Sequence, residues 1–116
     1  MKNTELRQVD QGVVLILHGD LDNLAANRLR PMLEDLSQHP EYQNVIIDLS
    51  DVDFMDSLGI GALMFLYKRL MVKERKLLLA GVKTQPFKAM KALTVEKVLA
   101  CYPDVQACLE VLTIEE

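Results

Sequence analysis

The stretch VIIDLSDVDFMDSLGIGALMFLYKRL, Val45 to Leu70, decides the reading of the fold. It opens on a short apolar run, Val45 to Leu49, of the kind a buried strand makes, and passes through an acidic loop holding Asp51, Asp53 and Asp56. It closes on an apolar segment from Leu58 that is too long for another strand. Ser57 stands at the junction of loop and helix. Serine is favoured at a helix N-cap, where its hydroxyl accepts a bond from an unpaired backbone N–H two or three residues on. Ser57 is therefore expected to cap a helix from Leu58 to about Val72, although Ile60, three residues on, completes no capping box. A hydroxyl in that position, beside Gly59 and Gly61, also lets a phosphate or another molecule's backbone approach closely.

The first two turns of that helix are apolar nearly all round, through Leu58, Ile60, Ala62, Leu63, Met64, Phe65 and Leu66. Such a helix is either deeply buried or leaves an apolar patch for a partner. Leu63, Leu66 and Leu70 are expected in the core, with Ile60, Met64 and Phe65 as contact residues.

Downstream, Lys73 to Lys76 reads as a solvated turn and Leu77 to Val82 as a second buried strand, so strand, helix and strand make a parallel crossover. Thr84 to Leu93 follows as a short helix with Pro86 in its first turn. Val98 to Tyr102 reads as an edge strand, and Pro103-Asp104 opens a terminal helix with Val105, Cys108, Leu109 and Leu112 on one face. Upstream, Thr4 to Val9 and Val13 to Leu17 form a hairpin about a turn at Gly12. Asp22 and Asn23 are candidate N-caps for a helix with Ala25, Leu29, Met32, Leu33 and Leu36 on one face, stopped by His39-Pro40. Pro31 inside it, at a cost of about 3 kcal/mol, is expected to kink the helix or divide it. The order ββαβαβαβα defines one α/β domain over residues 1–116. Its central mixed sheet of four to five strands is covered mainly on one face by about four helices.

The 116 residues, half of them hydrophobic and 26% charged, suit one folded core. A formal charge of -4 argues against nucleic acid as a partner and for a partner with a basic docking surface. No apolar run is long enough to enter and span a bilayer, and the polar N-terminus lacks the apolar core of a secretory signal, so a cytoplasmic protein is expected. Cys101 and Cys108 read as reduced, buried thiols rather than a disulfide or metal site.

Four aspartates, Asp48, Asp51, Asp53 and Asp56, invite a metal hypothesis. Counted from Asp51 as a calcium loop, they place Asp56 where Gly is needed and Ala62 where Glu is needed. Asp51-Val52-Asp53 is similar to the nucleophile motif of haloacid dehalogenase phosphatases, but Met55 breaks it and the chain is short for that fold. Asp56-Ser57-Leu58 echoes part of the Gly-Asp-Ser-Leu hydrolases, yet Met55 replaces the Gly. The only histidines, His18 and His39, both lie upstream, where that family places none of its bases. No phosphate-binding glycine loop is present. Neither a catalytic residue nor a metal or cofactor site is assigned, and Ser57 reads as a substrate rather than a catalyst.

The run DLSDVDFMDSLGIGAL, Asp48 to Leu63, resembles the signature of STAS domains, and in particular that of bacterial anti-sigma factor antagonists. The Gly19-Asp20-Leu21-Asp22 stretch resembles the turn that opens that family's first helix. The resemblance implies the STAS fold and a protein that, unphosphorylated, binds an anti-sigma factor with serine kinase activity and so regulates transcription. Phosphorylation at Ser57 would release the complex and a PP2C-type serine phosphatase would reset it; a homodimer is compatible with this scheme. ATP and Mg²⁺ would belong to the kinase. The same resemblance carries over Asp22, Asn23, Asp56, Leu58, Gly59, Ile60 and Met64 as partner-binding residues around Ser57. Leu58 replaces the second Ser or Thr usual in the family. The alternative is a STAS subunit of a lipid-transport ABC system or a sensory scaffold, with Ser57 only a helix cap.

Overall fold

The computed structural model describes residues 3–114. Strands β1 (Asn3–Val9) and β2 (Gly12–His18) form an antiparallel hairpin across a turn at Asp10 and Gln11. Strands β3 (Asn44–Asp51), β4 (Leu77–Ala80) and β5 (Ala100–Tyr102) continue the sheet in parallel with β2, in the order β1-β2-β3-β4-β5. Helices α1 (Asn23–Gln38), α2 (Ser57–Val72), α3 (Thr84–Ala92) and α4 (Val105–Ile114) fill the connections and the end of the described chain. A mixed five-stranded sheet with four helices is the architecture the strand and helix order implies.

The alternation of side chains along a strand divides the apolar residues between two cores. Val13, Leu15 and Leu17 of β2, Val45, Ile47 and Leu49 of β3, and Leu77 and Leu79 of β4 face α1, α2 and α3, where Leu33, Leu63, Leu66, Leu70 and Met90 meet them. Val14, Ile46, Leu78 and Ala80 face the other way, onto Cys108 and Leu112 of α4. Covering on both faces is why the central strands read as continuous apolar runs. Each fully buried Leu or Ile contributes about 1.5–3 kcal/mol.

Several boundaries and environments differ from the sequence reading. Helix α1 is one continuous element through Pro31, which lies on its exposed face. The carbonyl that loses its helical partner there belongs to Asn27, also exposed, so water can serve it. Strand β4 stops at Ala80. Strand β5 begins only at Ala100, because the N–H groups of Val98 and Leu99 are drawn into a turn on the Val95 carbonyl.

The segment read as a solvated turn holds the end of α1. Arg75 donates through Nη1 to the Ser37 carbonyl at 2.8 Å, through Nη2 to Leu36 at 3.0 Å and to Tyr42, and through Nε to Gln43 at 3.1 Å. Lys73 Nζ adds a bond to Ser37 at 2.7 Å. Helix-terminal carbonyls without intrahelical partners are thereby satisfied, and the desolvation this entails lowers the Arg75 pKa from its usual value. Cys108 is buried, as expected, whereas Cys101 is only partly so; both are free thiols, and burial pushes Cys108 up to about 11.

Candidate functional site

The β2–α1 and β3–α2 connections meet at the carboxyl ends of the strands, where ligands of open α/β sheets are placed. Leu21 and Met55 form a parallel bridge between them, with the Leu21 N–H donating to the Phe54 carbonyl at 2.9 Å. On the other side of Met55 the Gln85 side-chain amide pairs with its backbone, Oε1 accepting from the Met55 N–H at 2.9 Å and Nε2 donating to its carbonyl at 3.1 Å. The peptide leading to Ser57 is thus held from two directions. Lys83 at the start of α3 fixes the loop further by pairing with Asp53 at 2.7 Å, which raises the lysine pKa.

Both helices begin in the same way. Asp22 caps α1, accepting from the Ala25 N–H at 3.0 Å, and Asp56 caps α2, accepting through Oδ1 from the Gly59 N–H at 2.8 Å. The cap of α2 is therefore Asp56 and not Ser57. The second carboxylate oxygen of Asp56 accepts from the backbone N–H of Asn23 at 2.9 Å, so one side chain serves orphan donors of two helices. This approach requires Gly59: a Cβ there would sit 2.0 Å from the Leu21 carbonyl oxygen.

Ser57 occupies the first position of α2, exposed, and its hydroxyl has no hydrogen-bond partner among the described residues. The next residue of each helix is an exposed leucine, Leu24 at 59% and Leu58 at 53%, and Phe54 is exposed beside the loop. Asp51 and Asp53 are exposed as well. The resulting surface is acidic with an apolar fringe.

Of the residues expected to touch a partner, Asn23, Ser57 and Leu58 are exposed, Asp22 and Asp56 are partly so, and Met64 is half-buried against the core. Gly59 and Ile60 are corrections. Gly59 is buried against Leu21, and Ile60, 1% exposed, shares the inward stripe of Leu63 and Leu70, so neither presents side-chain surface. Phe65 is also half-buried, with the Arg30 and Arg69 guanidinium groups over its ring at 4.7 and 4.9 Å. Leu24, Phe54 and Gln85 were not singled out from sequence. The repeated Asp-x-Leu at Asp22-Asn23-Leu24 and Asp56-Ser57-Leu58 is the signal that marks the first.

At the same end of the sheet, His18 lies between two carboxylates: Nε2 is 2.6 Å from Glu5 Oε2 and Nδ1 is 2.7 Å from Asp51 Oδ2. A neutral imidazole has one N–H and cannot donate to both, so the geometry is that of the imidazolium. The hydrogen bonds to Glu5 and then Asp51 raise the His18 pKa. Both ring nitrogens are committed, which leaves His18 no nitrogen with which to activate Ser57. No cluster of three or more His, Cys, Asp or Glu arranged to hold a metal occurs among the described residues.

A five-stranded mixed sheet with three helices on one face and one on the other, its two leading helices starting side by side, is the STAS architecture. The STAS domain family model matches residues 3–108, and the chain belongs to that family. It is similar to the anti-sigma F factor antagonist of Paenibacillus polymyxa, with 23% identity over 93 residues, 79% of this chain and 80% of the relative. Among solved structures, the phosphorylated form of the Bacillus cell fate determinant SpoIIAA superposes with a TM-score of 0.73 at 20% identity, covering 94% of this chain and 99% of that one. The structure of SLC26A9 superposes with a TM-score of 0.77 at 16% identity, over 92% of this chain but only 20% of that much longer protein. No helix among the described residues is long and apolar enough to cross a membrane.

Proposed function

We propose that this chain is an anti-sigma factor antagonist that works by partner switching. Unphosphorylated, it binds an anti-sigma factor that is also a serine kinase; phosphorylation of Ser57 ends the complex, and a PP2C-type phosphatase restores it. The observation that carries this reading is the state of Ser57. Because Asp56 does the capping, the serine hydroxyl is spared for a kinase, exposed at the head of a helix in a loop fixed by Leu21 and Gln85. The name of the Paenibacillus polymyxa relative, an anti-sigma F factor antagonist, supports the same reading.

The switch follows from charge. A phosphate adds about -1.5 to -2 at pH 7. The helix N-terminus would ordinarily welcome it, but the Gly59 N–H is already occupied by Asp56, and Asp22 caps the helix head tied to it through Asn23. The added anion therefore meets carboxylates and solvent, and its main effect is on the surface offered to a partner. A basic partner surface that docks on the acidic, leucine-fringed form loses both fit and contacts.

A second reading is a STAS unit within a transport or scaffold assembly, where Ser57 is never modified. Leu58 in place of a second hydroxyl and the likeness to SLC26A9 favour it. Co-purification from the native cells with tagged wild type, Ser57→Ala and Ser57→Asp separates the two. A kinase-type ATPase retained by wild type and Ser57→Ala but lost with Ser57→Asp is the expected result. Retention of the same transport or scaffold components by all three would replace the switch with the second reading.

A further inference from the structure

Strand β1 is an outer edge of the sheet, and its sequence is self-complementary about Leu6. The turn at Asp10 and Gln11 makes Val9 and Gly12 a hydrogen-bonded pair, so along β1 the backbone groups of Arg7 and Glu5 also turn toward β2. Those of Thr4, Leu6 and Gln8 point outward, with no strand among the described residues to pair with. An exposed edge of this length is a template for another strand.

We propose that this edge pairs antiparallel with β1 of a second copy of the chain, about a two-fold axis at Leu6. In that register Leu6 faces Leu6 of the other copy and Thr4 faces its Gln8, each as a hydrogen-bonded pair built from the outward N–H and C=O groups. Glu5 then faces Arg7 of the other copy, and Arg7 its Glu5, as the closer, non-hydrogen-bonded pairs in which opposite charges are best placed. The charges that would repel a parallel or shifted copy attract this one, an isologous contact that closes on itself.

The local chemistry supports each element. Leu6 is 48% exposed, a large apolar side chain in the middle of an otherwise polar edge. Arg7 has no ion-pair or hydrogen-bond partner among the described residues. Glu5 spends Oε2 on His18, leaving Oε1 for the arginine opposite. The α4 side of the sheet covers Val9 at one end of β1, but Glu5 and Arg7 on the same face are exposed. The Ser57 surface lies at the strand ends rather than along this edge, and pairing leaves it accessible in both copies.

Sedimentation equilibrium from micromolar to millimolar protein, combined with amide exchange, tests the pairing. A concentration-dependent dimer is expected, with exchange at Thr4, Leu6 and Gln8 slowing as the dimer forms, while Glu5 and Arg7 amides are protected throughout. Glu5→Arg and Arg7→Glu should each weaken the dimer about tenfold or more, and the double exchange Glu5→Arg/Arg7→Glu should restore it to within about threefold. Leu6→Pro removes an outward N–H, which a folded edge strand tolerates, and should yield a monomer with wild-type circular dichroism. A wild type that stays monomeric at millimolar concentration overturns the proposal. So does a dimer in which the Thr4, Leu6 and Gln8 amides stay unprotected, or one that the double exchange fails to restore.

Discussion

The backbone N–H of Asn23 donates to the Asp56 carboxylate at 2.9 Å, and this one bond ties the head of α1 to the head of α2. The other oxygen of the same carboxylate caps α2 through Gly59. Loss of an N-cap alone costs roughly 0.5–2 kcal/mol, and here a second helix donor is orphaned with it, so Asp56→Ala should cost about 2–3 kcal/mol. Asp56→Asn keeps one acceptor but turns an amide donor toward the other N–H, and should cost about half as much. Urea denaturation of the two variants against wild type measures the difference; an Asp56→Asn variant as stable as wild type would mean that only one of the two bonds matters.

Gly59 and Gly61, two positions apart on α2, behave oppositely. At Gly59 a Cβ would lie 2.0 Å from the Leu21 backbone oxygen, which cannot rotate away, whereas at Gly61 no atom lies within 4 Å. Gly59→Ala should therefore destabilise by about 3 kcal/mol or more, by driving the two loops apart. Gly61→Ala, in an exposed helical position, should stabilise by about 0.5–1 kcal/mol. Thermal melts of the pair report the contrast directly.

Much of this arrangement is legible in the chain. The weak alternation of Thr4 to Val9 before the apolar run Val13 to Leu17, and the apolar run Val45 to Leu49, prescribe a hairpin and a buried parallel strand, and both form. The head of α2 is harder to read, because Asp56 and Ser57 are adjacent and both good caps; what selects Asp56 is a donor on Asn23, distant in sequence. Ile60 misleads for a related reason. On a helix apolar all round, only the approach of Leu21 to Gly59 tells which stripe turns inward. Arg75 gave no signal at all, since its carbonyl partners lie at the end of another helix.

His18 makes stability depend on pH. Its folded pKa is raised above 6.5 by Glu5 and Asp51, so the folded state holds the proton more tightly than the unfolded chain. The contribution is fully present below the unfolded value and is lost as pH rises through the folded one. The wild type should then lose melting temperature relative to His18→Gln, which has no charge to lose, as pH rises above about 6.5. Parallel pH profiles for the two proteins would show that the Glu5–His18–Asp51 contacts add nothing.

Arg75 joins the α2–β4 turn to the last turn of α1 and the segment after it through four carbonyls, and no shorter cation can span them. Arg75→Ala should cost about 2–3 kcal/mol, with Arg75→Lys recovering only part because an ammonium lacks the planar fork. Hydrogen exchange locates the effect: protection should fall first at the end of α1, while the amides at the head of α2 keep theirs.

The leucines that follow Asn23 and Ser57 give the proposed docking surface its apolar content. Both side chains are more than half exposed and neither belongs to the core, so Leu24→Ser and Leu58→Ser should leave the melting temperature within about a degree of wild type. Burial of such a side chain at the centre of an interface is commonly worth a tenfold change in affinity or more, and each substitution should weaken retention of the kinase-type partner by about that factor. Ile60→Ser, by contrast, should lower stability before it touches binding, because Ile60 faces the core. Should Leu24→Ser and Leu58→Ser both hold that partner as wild type does, its footprint lies away from the paired helix heads, and Ser57 would have to act on it from a distance.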